Sequence, residues 1–133
     1  MTTSTPRSPQ QLHQALAAHF NAHDLDGLVA LFDAEGALVP QPGAVATAPQ
    51  ALRDALAGFL AFAPMDTFVE TLGVVVAGDI ALSRTRWGLR GTHPADGTSV
   101  TLEHHGFEVL RRQANGTWRF LIDDPFAGDA ASK

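Results

Sequence analysis

VTLEHHGFEVLRRQANGTWRFLIDDPF, residues 100–126, reads as a β-hairpin. An alternating run from Val100 to Arg111 meets the turn Gln113-Ala114-Asn115-Gly116, and a second apolar run follows from Trp118 to Ile122. Asn-Gly marks the turn because both residues accept the positive φ that a tight connection between antiparallel strands requires. The same hairpin carries His104, His105, Asp123 and Asp124, the densest group of titratable side chains in the sequence.

Working outward, Thr67 to Ala77, the turn Gly78-Asp79 and Ile80 to Arg90 read as two further strands, joined to the hairpin by the turn-rich His93-Pro94-Ala95-Asp96-Gly97. The first half is helical. Ser8 is placed as an N-cap, with Pro9 at the first helical position and Gln11 three residues after the cap. Leu12, Leu16 and Phe20 then form one apolar stripe. A second helix opens at Asp24, carries Leu25, Leu28, Val29 and Phe32, and stops near Gly36. Ala37 to Gln41 is a short strand that Pro40 confines to an edge or a bulge. Thr47-Ala48-Pro49-Gln50 repeats the starting device of the first helix, and Leu52, Leu56, Phe59 and Leu60 give a third stripe that ends before Pro64. Three helices followed by an antiparallel meander make the fold class α+β.

With 133 residues, 45% hydrophobic and 17% charged, the chain fits one domain with a sizeable core. That domain is expected over residues 10–127, with a disordered tail at 1–9 and a flexible one at 128–133. A net charge of −5 argues against a nucleic-acid surface. The absence of cysteine excludes a thiolate nucleophile and Cys-ligated zinc, and the absence of tyrosine excludes a phenolic acid. Neither a signal peptide nor a membrane span is legible, so a cytoplasmic location is expected. His19 and His23 have metal-ligand spacing without a third ligand, and neither metal nor cofactor is expected.

Asn21 to Phe32 (NAHDLDGLVALF) and Asn115 to Asp123 (NGTWRFLID) resemble the SnoaL-like, ketosteroid isomerase-like branch of the nuclear transport factor 2-like superfamily, and the order of elements matches from Gln10 to Phe126. The resemblance implies a cone: a curved antiparallel sheet wrapped around about three N-terminal helices, enclosing a pocket for a small organic ligand, usually in a homodimer. It does not fix the activity, because this superfamily holds isomerases, dehydratases, cyclases, hydrolases and non-enzymatic modules. The tyrosine donor of ketosteroid isomerases falls on Leu16, their aspartate base on Pro40 and their second acid near His105. Steroid isomerisation by that route is therefore not expected.

Successive strand residues point to opposite faces, so only one of His104 and His105 can enter a pocket. Periodicity leaves the choice open, since Val100, Leu102 and Leu110 share the face of His104 while Phe107 and Val109 share that of His105. The resemblance places His105 inside, with Glu103 and Phe107. Across the hairpin His105 is expected opposite residues 123 to 125, beside Asp123, where a carboxylate would orient the imidazole for acid–base work. Ser83, Thr85 and Trp87 share one face of their strand, assigned by the resemblance to the pocket with Leu16, Phe20 and Phe59. Arg84, Arg86 and Arg90 lie on the opposite face, available to Glu103 or Glu108.

These readings converge on a small-molecule pocket whose His105–Asp123 pair isomerises, cyclises, dehydrates or hydrates a small apolar carbonyl or hydroxy compound. A ligand-binding or accessory module without chemistry is the alternative. An interaction scaffold is a third.

Overall fold

The computed structural model describes residues 5–129. Three helices precede most of the sheet: α1 (Pro9–Asn21), α2 (Leu25–Ala30) and α3 (Gln50–Leu60). The strands are β1 (Phe32–Leu38), β2 (Ala46–Thr47), β3 (Asp66–Ala77), β4 (Ile80–Thr92), β5 (Ser99–Arg112) and β6 (Trp118–Asp124). They form one curved sheet in the order β2-β1-β6-β5-β4-β3, with α1 against β3 and the other helices closing the inner side. No described helix is long and apolar enough to cross a membrane.

Local chemistry explains the starts of α1 and α2, whereas α3, expected to repeat the device of α1, begins after Pro49 with no side-chain cap. Ser8 Oγ accepts from the Gln11 amide (3.1 Å) with Pro9 at the first helical position, and Asp24 caps α2 by accepting from the Gly27 amide (2.9 Å). The α3 stripe Leu52, Leu56 and Leu60 is buried, and with Leu12, Leu28, Leu110 and Phe120 it makes the core. The hairpin turn at 113–117 closes through the Gln113 amide and the Thr117 carbonyl (2.7 Å), with Gly116 at φ +85°.

Two expectations are corrected. The strand read over Ala37 to Gln41 is the end of β1, which stops at Leu38 before Pro40 and lies between β2 and β6 rather than at an edge. The second helix ends at Ala30 rather than near Gly36, and Phe32 begins a strand. Phe32 fits the helical stripe by spacing, but its ring packs on Phe120 (centroids 5.2 Å apart) across a parallel β1–β6 pairing. That tertiary pairing outweighs a weak local preference and makes the sheet mixed. Next to it, the Arg111 guanidinium grips both Asp33 oxygens (2.8 and 3.0 Å) and, with the Glu35 amide and Gln113, holds this carboxyl well below the usual carboxylate range.

Residues 1–4 and 130–133 of the expected tails lie outside the described residues. The nearer parts are bound: the Pro6 carbonyl accepts from the Trp118 amide (2.9 Å), and the Gly128 amide donates to the His105 carbonyl (2.9 Å).

The β4–β5 register decides which side chains face inward. Ser83 is opposite Glu108, Thr85 opposite Gly106 and Trp87 opposite His104. Directly opposed residues share a face, and the inner face of β4 carries Ala81, Ser83, Thr85, Trp87 and Leu89, all buried. On the outer face, Val75, Leu82, Val109 and Ile122 are successive partners across β3 to β6, and all but half-buried Val109 are exposed.

Candidate active site

Between the helices and the inner face of the sheet lies a cavity of about 50 Å³, enough for a few waters or a ligand of similar bulk. Helix α1 contributes His13, Leu16 and Phe20, and α3 contributes Leu56 and Phe59. From the sheet come Thr85, Trp87, Glu108, Phe120 and Asp123.

The polar wall is a hydrogen-bonded chain. Glu108 Oε1 accepts from the Ser83 hydroxyl (2.5 Å) and Oε2 from the Thr85 hydroxyl (2.6 Å). Ser83 has one proton and gives it to Glu108, so its oxygen accepts from His13 Nε2 (3.1 Å). His13 Nδ1 lies 2.6 Å from the Thr71 hydroxyl, which anchors the other side of the ring. Gly106 leaves room for this arrangement, because a Cβ there would sit 2.7 Å from Glu108 Oε2 and 3.0 Å from Thr85 Oγ1.

Asp123 differs in kind. It stands opposite Glu108 across the β5–β6 pair and is buried, yet no described group hydrogen-bonds its carboxyl. Burial, and then the charges of Glu108 and Asp124, push this carboxyl well above its ordinary value. Thr67, on the cavity wall, has a buried Oγ1 without a partner among the described residues.

Of the residues assigned to a pocket from sequence, Leu16, Phe20, Phe59, Thr85, Trp87 and Asp123 line the cavity, and Ser83 lies directly behind Glu108. Three assignments are corrected. His105, Glu103 and Phe107 point outward, with side chains or residues 45%, 54% and 39% exposed. Glu103 binds Arg86 on the outer face (3.1 Å), while Glu108, assigned there with it, faces in. The expected His105–Asp123 pair does not form: the partner of Asp123 is Glu108, and His105 lies against Asp129. The physical reason is the β4–β5 register, which carries the inner parity of Ser83, Thr85 and Trp87 onto Glu108, Gly106 and His104. His19, considered as a metal ligand, is bonded to Asp24 (3.0 Å).

Sequence reasoning missed His13 and Glu108. His13 stands at i, i+3, i+7 with Leu16 and Phe20, so helical spacing alone placed it on their stripe. Glu108 shares strand parity with His104, and only the cross-strand register separates it from an exposed charge.

Residues 13–120 match the family model of the SnoaL-like domain. The chain belongs to the SnoaL-like family. Among solved structures, this SnoaL-like domain is similar to a ketosteroid isomerase-like protein from Erwinia carotovora atroseptica, with TM-score 0.69 and 24% identity over 85% of this chain and 88% of that one. A dehydratase of the NTF2-like family from Streptomyces avermitilis, provisionally so named, gives TM-score 0.70 and 20% identity over 88% and 93%. A protein from Novosphingobium aromaticivorans, provisionally named a scytalone dehydratase, gives 0.73 and 18% over 89% and 80%. At these identities the likeness establishes the nuclear transport factor 2-like fold of the SnoaL-like domain and nothing about its substrate. No curated protein matches the chain.

Proposed function

We propose that this SnoaL-like domain is a cofactor-independent acid–base catalyst in which Asp123 moves a proton to and from a small apolar carbonyl or hydroxy compound. One observation carries the reading: a buried carboxyl, unbonded by the described residues and biased toward its neutral form, faces an apolar cavity. Neutral Asp123 gives its proton to a carbonyl oxygen or a departing hydroxyl. The carboxylate left behind takes a proton from the adjacent carbon and is restored. In the first case the product is an enol, and isomerisation is completed when the restored Asp123 gives its proton to a different carbon and takes back the enol O–H proton. In the second case water is lost, and two structural neighbours carry provisional dehydratase names. Aromatic walls from Phe20, Phe59, Trp87 and Phe120 suit a flat ligand, and the Thr67 hydroxyl offers it a second polar contact.

The test is deuterium incorporation at the α-carbon of small cyclic ketones in D2O, followed by NMR. Incorporation is expected to exceed that in buffer with the wild-type protein, and to fall to the buffer rate with Asp123→Asn. Ketones that bind without exchanging would favour a carrier without chemistry, a second reading supported by the largely apolar lining.

A homodimer accompanies the proposal, formed through the apolar row of Val75, Leu82, Val109 and Ile122 on the outer face. Sedimentation equilibrium at micromolar concentration is expected to return twice the chain mass. A monomer there would remove the dimer.

A further inference from the structure

Beyond Asp124 the chain leaves the sheet and crosses back over β5 as a short strap, Pro125 to Asp129. Its fastening follows from an unfinished ladder. β6 pairs with β5 only from Phe107 onward, opposite Asp124, so the backbone groups of His105 have no strand partner on that side. The strap supplies both: Asp129 Oδ1 accepts from the His105 amide (2.7 Å), and the Gly128 amide donates to the His105 carbonyl (2.9 Å). The other oxygen of Asp129 meets His104 Nδ1 (2.8 Å). Burial pushes the Asp129 carboxyl up, but the bonds from His104 and the His105 amide outweigh it and hold the group below its ordinary value.

What these contacts grip is a wall of the cavity. The His104 ring packs on Trp87 (centroids 5.2 Å apart), and Phe126 closes edge-on against both, at 5.0 Å from His104 and 6.0 Å from Trp87. The Trp87 indole N–H donates to the Pro125 carbonyl (2.7 Å), and Trp87 and Pro125 both line the cavity. Asp129 touches neither the cavity nor Asp123. It is tied to both ends of the assembly, the strap through its own backbone and the indole through the His104 ring.

We propose that Asp129 and His104 are positioning residues, a clasp that fixes Trp87 and Pro125 and so sets the width and access of the cavity. The proposal rests on reading that cavity as the reaction site, but the clasp itself is observable without substrate. Trp87 and Trp118 are the two tryptophans of the chain, so their indole N–H signals are two resonances whose hydrogen exchange can be followed in the full-length protein. Trp87→Phe assigns them by removing one.

In Asp129→Ala the Trp87 indole is expected to exchange at least roughly tenfold faster, with the Trp118 signal unchanged. Asp129→Asn retains an oxygen for the His105 amide but turns an NH2 donor toward His104 Nδ1, which must then accept as the other tautomer, so it is expected to restore part of the protection. Unchanged Trp87 exchange in Asp129→Ala would overturn the clasp. So would equal acceleration of both indoles, which would mark general loosening. Ketone exchange abolished by Asp123→Asn alongside an unaltered Trp87 signal in Asp129→Ala would retain the proposed chemistry and discard the clasp. The reverse pattern would do the opposite.

Discussion

Asp123→Asn is expected to make the protein more stable at pH 7 while removing its activity. The carboxyl of Asp123 is raised in the fold, chiefly by burial and next by the charge of Glu108. Below the ordinary carboxylate value, near pH 4, both folded and unfolded chains hold this proton and the group costs nothing. As pH rises past that value the unfolded chain releases the proton and the folded chain keeps it, so stability falls up to the folded value. Asparagine has nothing to ionise. The melting temperature of the variant should therefore exceed that of the wild type at pH 7 and approach it at pH 3. Proton transfer at the cavity should fall by roughly 10²- to 10⁴-fold, the usual contribution of a positioned acid or base. Thermal unfolding at the two pH values checks the first part. A variant less stable than the wild type at pH 7 would mean that the ionised form is the one the fold prefers.

Phe120→Ala carries the largest expected loss of stability. Phe120 is fully buried, packs on Phe32 (5.2 Å) and on the His13 ring (6.2 Å), and lines the cavity. Its removal joins a new void to an existing one beneath the parallel β1–β6 contact, where the backbone has little freedom to collapse. A cost of about 3–5 kcal/mol follows for such a truncation, a drop in melting temperature of roughly 10–20 °C for a domain of this size. Urea titration followed by circular dichroism gives the free energy directly. A loss below about 1 kcal/mol would show that the wall closes over the gap.

The elements of this fold were legible because their signals are local. Ser8 with Gln11, the Asn115-Gly116 turn and the Leu52-Leu56-Leu60 stripe each act over a few residues, and all appear as read. Phe32 was misread because it satisfies a helical spacing, whereas its state is set by Phe120 from nearly the other end of the chain. The inward side of β5 was misread for a related reason. Parity gives two sets, and Phe107 and Val109 on the outer set are as apolar as Leu102 and Leu110 on the inner one. An outer face that is itself greasy removes the contrast on which such a choice depends. Asp123 was found by its place in the hairpin, but its partner was not, because opposition to Glu108 depends on the irregular step in β5–β6 pairing between Val109 and Leu110.

The parallel contact between β1 and β6 also bears on how the chain is made. β1 leaves the ribosome before β3 to β6, attached to helices whose apolar stripes pack against those later strands. Phe120, the strand partner of Phe32, follows only after α3 and β2 to β5 have been made. Phe32 therefore stays without that cover until β6 emerges. Closure of the domain waits on this long-range pairing, which is slow to form and leaves apolar surface exposed in the meantime.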